Sequence, residues 1–356
     1  MSNNWYDKFT NSSVYCVSDD AYSGVGTNEN SGKMSPRRML SNTLADQLKL
    51  HTNGRSKSIG ISIKDRGAIL PAGHAADAAY WLPDDSQGKF VSSTYYFEKL
   101  PEWVNTFNNS TQKEAYLTTW ETLYPIGTYS QSDIDNSPYE GVFEGKETPT
   151  FPYDLKKLAP KNNGFGIVKY SPFGNSYLTD FALEAILQEQ LGNHGTTDFL
   201  SISYSSPDYI GHKFGANAIE TEDTYLRLDL EIQRLLNFLD DNLGKNNYTF
   251  VLTADHGAVH VPAYLQDLKI PGGYIDTKAM HESIETFVKN TFGSKALIKN
   301  ISNYQVFFDD SLAQEKKIAL ADLENQTAHF IQQMELVDKV YTRSQFKNGL
   351  MPKGVG

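Results

Sequence analysis

Between Ser58 and Lys64 the chain reads SIGISIK, and its alternation sets Ile59, Ile61 and Ile63 on one side of an extended segment. A period of two predicts a strand, half covered by a helix. The DRGAILPAGH that follows is punctuated by glycine and proline and is read as loop. From about Ala79 to Pro160 periodicity weakens while Tyr, Trp, Asn, Ser and Thr accumulate, which predicts a long insertion with few regular elements. Helical spacing returns where Thr179-Asp180 can cap a helix carrying Phe181, Ala185 and Leu191, with Gly192 to end it. FLSISY, from Phe199 to Tyr204, reads as a buried strand. Leu228, Ile232, Leu235, Leu236, Leu239 and Leu243 then recur at helical spacing before Gly244, and TFVLTA, from Thr249 to Ala254, reads as a further buried strand.

Beyond Ala279 the order changes to a helix from Glu282 to Thr291, short strands from Ala296 to Ile301 and from Gln305 to Phe308, a helix from Leu312 to Met334, and a strand from Leu336 to Tyr341. Strands alternating with helices predict a mostly parallel sheet covered on both faces. The expected fold class is therefore α/β, a three-layer α/β/α sandwich with an insertion and a small α+β cap. The expected division is a core from 1–78 and 161–272, an insertion at 79–160, a cap at 273–345, and the start of a return to the core at 346–356.

Composition narrows the class. The 356 residues are 39% hydrophobic and 21% charged, an ordinary globular balance. No apolar run approaches the roughly 18 residues of a membrane helix, so no membrane span is expected. With 32 Lys+Arg against 43 Asp+Glu the net charge is −11, which argues against a nucleic-acid partner yet leaves room for a local basic site for a small anion. Cys16 is the single cysteine, excluding an intramolecular disulfide and any CxxC metal knuckle. The opening MSNNWYDKFT is too polar for a secretory signal peptide.

The chemistry gathers behind two of the expected strands. After FLSISY comes SSPDYIGH, in which Asp208 and His212 stand four apart and project from one side of a helical turn. After TFVLTA come Asp255 and His256, at the carboxyl edge where open α/β sheets build their sites. Each pair alone has an ordinary reading, a surface ion pair or a turn with a helix cap. Together they offer two oxygen and two nitrogen ligands, a mixed set that zinc accepts, and paired metals can clamp the entering and leaving oxygens of a phosphoryl group. Lys64 and Arg66, two apart at a strand end, point to one side and suit a dianionic phosphate; the alternative is a solvated strand terminus. Asp65, on the other side, is read as a structural partner. His260 is read as packing or as support to the site; His74, His194, His281 and His329 have no partner pattern.

SIGISIKDRGAILPAGHAADAAYW, SISYSSPDYIGHKFG and LTADHGAVHVP closely resemble bacterial alkaline phosphatases of the type I phosphodiesterase/nucleotide pyrophosphatase branch. More narrowly they resemble the phosphate-irrepressible phosphomonoesterases that use a threonine nucleophile, and the similarity runs over nearly the whole chain. The resemblance implies two Zn2+ ions, one held by Asp208 and His212 and its neighbour by Asp255 and His256. It implies that Lys64 and Arg66 contact the phosphoryl oxygens, with Asn3, ahead of Trp5-Tyr6-Asp7, contacting the same oxygens. The implied substrates are small-molecule phosphate esters, hydrolysed through threonine attack on phosphorus and a covalent phosphoryl-enzyme. A phosphodiesterase is the close competitor, and a non-catalytic fragment that retains weak metal or phosphate binding is the other reading.

The family's threonine and a further aspartate lie upstream of the asparagine, and a third histidine ligand lies in a Thr-His-Gly near the C-terminus. None of these has a counterpart in this sequence, which starts at the asparagine and ends at Met351-Pro352-Lys353-Gly354-Val355-Gly356. The expectation is a chain truncated at both ends, with Met1 an internal position, no nucleophile and no turnover of its own. The full-length parent is expected to be periplasmic or secreted. Its oligomeric state is not legible.

Overall fold

Gly60 sets the geometry of the fold's centre. A Cβ there would lie 1.9 Å from the Ala68 carbonyl oxygen, so only glycine lets the following helix press so close onto the strand. The computed structural model describes residues 3–27, 30–85 and 87–349; Met1 and the end of the expected return to the core lie outside the described residues. The chain forms two units, Val17–Tyr264 and the pairing of Met1–Cys16 with Leu265–Gly356.

In the larger unit, β1 (Ser58–Ser62) is followed by α1 (Asp65–Ala72), β2 (Ala78–Trp81), α2 (Phe173–Gln188), β3 (Phe199–Ser203), α3 (Ser206–Phe214) and α4 (Ile219–Leu243). The sheet has the order β2-β1-β3 and is parallel, with Ile59 opposite Ala78 on one side and Leu200 on the other. Every residue of β1 is buried, so both of its faces are covered rather than one. Ser58, Gly60 and Ser62 are small enough for a second layer to close over the face opposite the isoleucines. That layer includes α1, where a loop was expected: Ala68, Ile69 and Ala72 are buried, Pro71 stands in the last turn, and Gly73 at φ 90° ends the helix. A proline so near the end forfeits little of the helical hydrogen bonding.

The other departures have local causes. Helix α2 starts directly after Pro172, and Thr179 lies inside it, its hydroxyl donating to the Asn175 carbonyl at 3.0 Å. The expected buried strand from Thr249 to Ala254 is neither strand nor buried: Val251 is 78% exposed and Leu252 66%. The sheet stops at β3, which is only half-buried, and among the described residues no strand pairs with its free edge. The insertion lends its aromatic residues to the main core. Phe90 stacks on Phe181 at 3.7 Å, and Trp120 and Tyr153, both fully buried, pack with Phe214.

In the smaller unit the antiparallel pair Asn4–Asp7 and Ser12–Tyr15 meets a second antiparallel pair, Ile298–Ser302 and Gln305–Phe308, through the rings of Tyr6 and Phe307, centroids 5.0 Å apart. The expected helix from Leu312 to Met334 is two helices, Asp310–Glu315 and Leu320–Gln332, because Lys317 takes a left-handed φ of 57° between them. The expected strand from Leu336 to Tyr341 does not form. The Gln332 side chain holds that segment instead, donating to the Asp338 carbonyl and accepting from the Val340 amide. Among the described residues no helix is long and apolar enough to cross a membrane.

Candidate metal and phosphate site

β1 and β3 run parallel, so their carboxyl ends deliver Lys64 and the start of α3 to the same edge of the sheet. The Ser62 hydroxyl bridges them, accepting from the Lys64 amide at 3.0 Å and lying 3.3 Å from the Ser205 hydroxyl. Asp208 sits in the first turn of α3 and His212 in its last, one turn apart, with His212 Nε2 3.4 Å from Asp208 Oδ1. His256 comes from the exposed segment after α4, and its Nε2 lies 3.6 Å from the same Asp208 oxygen. Among the described residues Asp255 joins the group through its neighbour, 3.6 Å from His256 Nε2, with its side chain 90% exposed.

The sequence-predicted residues Lys64, Asp208, His212 and His256 are thus brought together, with Asp255 at the margin. Lys64 Nζ forms an ion pair with Asp208 Oδ2. Burial pushes the Asp208 carboxyl up, but the Lys64 hydrogen bond and charge, with His212 and His256, outweigh it and hold the group below the usual value. The His256 imidazole is raised, first by its 2.8 Å hydrogen bond to the Gly257 carbonyl and then by Asp255. In the neutral ring that bond uses the Nδ1 proton, leaving the Nε2 lone pair facing Asp208.

Lys64 and Arg66 do not alternate along a strand as the sequence predicted. Lys64 is the N-cap of α1 and Arg66 lies in its first turn, so strand periodicity does not govern them. The Lys64 side chain makes no capping hydrogen bond, and the helix end adds its partial positive charge to the two cations. Asn3 lies in the other unit, exposed, with its carbonyl accepting from the Cys16 amide at 2.9 Å. His260 is exposed and pairs with Asn217 at 2.7 Å. His194, which had no partner pattern, meets Asp198 at 2.7 Å in a loop where Asp198 also accepts from the Gly192 and Lys57 amides, a structural clasp.

Among the described residues no three His, Cys, Asp or Glu side chains close around one point as a complete metal cage. The donors fit a metal in kind and in pairwise spacing. The 3.4 Å between His212 and Asp208 and the 3.6 Å between His256 and Asp255 exceed a good hydrogen bond, yet they approach the edge of roughly 3.3 Å between two ligands of tetrahedral zinc bound at about 2.0–2.1 Å. Asp208 with His212 offers two donors, as does Asp255 with His256, and each pair falls short of the three or four that zinc sites use. Sequence reasoning missed Tyr209, whose ring centroid is 4.9 Å from Lys64 Nζ. Its only signal was its place beside Asp208 in a helix that turns it toward β1.

The family described as type I phosphodiesterase / nucleotide pyrophosphatase matches residues 1–351. Alkaline phosphatase PhoV of Synechococcus elongatus is 46% identical over 332 residues, 93% of this chain and 59% of the relative. A Myroides odoratus protein named calcium-transporting ATPase is 50% identical over 307 residues, 85% of this chain and 56% of the relative. The crystal structure of wild type alkaline phosphatase PafA superposes with a TM-score of 0.93 at 41% identity, over 99% of this chain and 68% of that one. The chain spans less than three fifths of the length of the two curated relatives.

Proposed function

The chain belongs to the type I phosphodiesterase/nucleotide pyrophosphatase family, and on that premise we propose that it is the phosphate-binding and metal-binding part of a phosphate monoester hydrolase of the alkaline phosphatase kind. The observation that carries the reading is the meeting of the Lys64 ammonium, the Asp208 carboxylate and two imidazole nitrogens at the carboxyl edge of a parallel sheet. Asp208 and His212 hold one divalent ion and Asp255 and His256 its neighbour, both zinc. Bound there, the ions supply Lewis-acid polarisation of the phosphoryl group.

The chain's own residues do the rest of the recognition. Lys64 offers a point charge and Arg66 a planar fork to the non-bridging oxygens. The His256–Gly257 hydrogen bond fixes the tautomer, so the Nε2 lone pair stays free for a metal. A monoester dianion carries one more charged oxygen than a diester, and two adjacent cations favour it. We assign the attacking group to none of the 356 residues. The complete protein acts in the periplasm or outside the cell on small-molecule phosphate esters.

The test is an aryl phosphate assay of the complete protein before and after chelation. Loss of turnover on chelation, restored by zinc, is expected; turnover that survives exhaustive chelation contradicts the metal reading. The 356-residue polypeptide, assayed with excess zinc, should turn over negligibly. Turnover near that of the complete protein would mean that another group attacks.

A further inference from the structure

Lys64 faces two partners at once. Its Nζ is paired with Asp208 Oδ2 and also stands over the ring of Tyr209, 4.9 Å from the centroid. Tyr209 is held edge-on against Tyr170, centroids 5.1 Å apart, and Tyr170 meets the buried ring of Phe143 at 6.5 Å. The aromatic face is braced, while the carboxylate is divided: Oδ1 looks toward two imidazole nitrogens and Oδ2 toward the ammonium.

We propose that Lys64 has two stations, serving as the resident countercation of Asp208 while no metal is bound and resting on Tyr209 once one is, so that Tyr209 is the positioning residue that keeps the ammonium at the phosphoryl site. The proposal rests on the reading of Asp208 as a metal ligand. An ammonium and a divalent cation compete for the same carboxylate, and two cations beside one anion repel each other. Asp208 is fixed in the first turn of α3, whereas a lysine side chain swings on four rotatable bonds. The displaced ammonium then needs a partner that no metal can take. A tyrosine face attracts a cation without ligating zinc.

The experiment is isothermal titration of the 356-residue chain with zinc chloride, then of the zinc-saturated chain with inorganic phosphate. Lys64→Met should tighten zinc binding roughly tenfold, the equivalent of losing one charge-assisted competitor. Arg66→Met removes a charge of the same sign from the same helix end but not from Asp208, and should change zinc binding by less than about threefold. In the zinc-loaded chain Tyr209→Leu should weaken phosphate binding by roughly three- to tenfold, while Tyr209→Phe, which keeps the ring, should match the parent. In the Lys64→Met background Tyr209→Leu should cost nothing further. Equal gains in zinc affinity for Lys64→Met and Arg66→Met overturn the competition. Phosphate binding unchanged by Tyr209→Leu, or weakened equally with and without Lys64, overturns the positioning role. Zinc binding indifferent to Asp208→Asn overturns the metal reading itself, and this inference with it.

Discussion

Glu220→Gln should remove a pH-dependent loss of stability that the buried carboxyl imposes on the larger unit. Glu220 is fully buried at the start of α4. Its Oε1 accepts from the Tyr153 hydroxyl, and its Oε2 has no hydrogen-bond partner among the described residues. Asp223, one turn further along the same helix, is equally buried but accepts from the Trp120 indole, the Leu123 amide, the Tyr129 hydroxyl and Arg227. Burial pushes Glu220 from 4.5 up to about 7, with Asp135 and Asp223 adding to the rise against the Tyr153 hydrogen bond.

Between pH 4.5 and about 7 the folded protein therefore keeps a proton that the unfolded chain has released, and stability falls as pH rises. Holding that proton costs about 1.36 kcal/mol of stability per pH unit, so the loss across the whole window is about 3 kcal/mol. Glutamine carries no charge and can still accept from Tyr153. Urea unfolding of the parent and Glu220→Gln from pH 4.5 to 8 checks this, because groups that do not feel the Glu220 charge cancel in the difference, while Glu140, whose carboxyl that charge helps to raise, does not. The two curves should nearly coincide at the acid end and diverge in favour of Gln by about 3 kcal/mol at pH 8. Curves that stay parallel over the whole range would refute the reasoning, since the carboxyl would then be ionised in both states.

Gly60→Ala should destabilise the larger unit by about 1–3 kcal/mol, because its methyl meets the Ala68 carbonyl, and urea unfolding measures it. His256→Ala should weaken zinc binding in a titration, since it takes the nitrogen ligand from its pair; unchanged binding would place the metal elsewhere. Arg66→Ala in the complete protein should lower monoester kcat/KM by roughly 10- to 100-fold, the worth of one charge-assisted contact of about 1.5–3 kcal/mol.

Where one physical signal governs a segment, the sequence made it legible. Strict alternation of isoleucines marked β1, and the four-residue spacing of Asp208 and His212 correctly put both on one side of α3. Signals failed where two of them competed. Glycine and proline in DRGAILPAGH spoke for loop, but burial of Ala68, Ile69 and Ala72 against β1 outweighed them. Apolar composition alone marked TFVLTA as a strand, yet among the described residues it pairs with no strand, although β3 leaves an edge open, and it stays exposed. The left-handed Lys317 that divides one expected helix has no counterpart in hydrophobic periodicity. The residue types at the candidate site were readable one by one. The Lys64–Asp208 pair and the ring of Tyr209 were not, because both depend on β1 and β3 being parallel neighbours.

The central claim is that two cations at the start of α1 select a phosphate dianion. Its most direct test is kcat/KM for an aryl phosphate monoester and for the matching diester, measured on the complete protein and on Lys64→Ala. The account predicts that the variant loses roughly 10- to 100-fold on the monoester and almost nothing on the diester. Equal losses on both substrates would contradict it and leave a phosphodiesterase as the better reading.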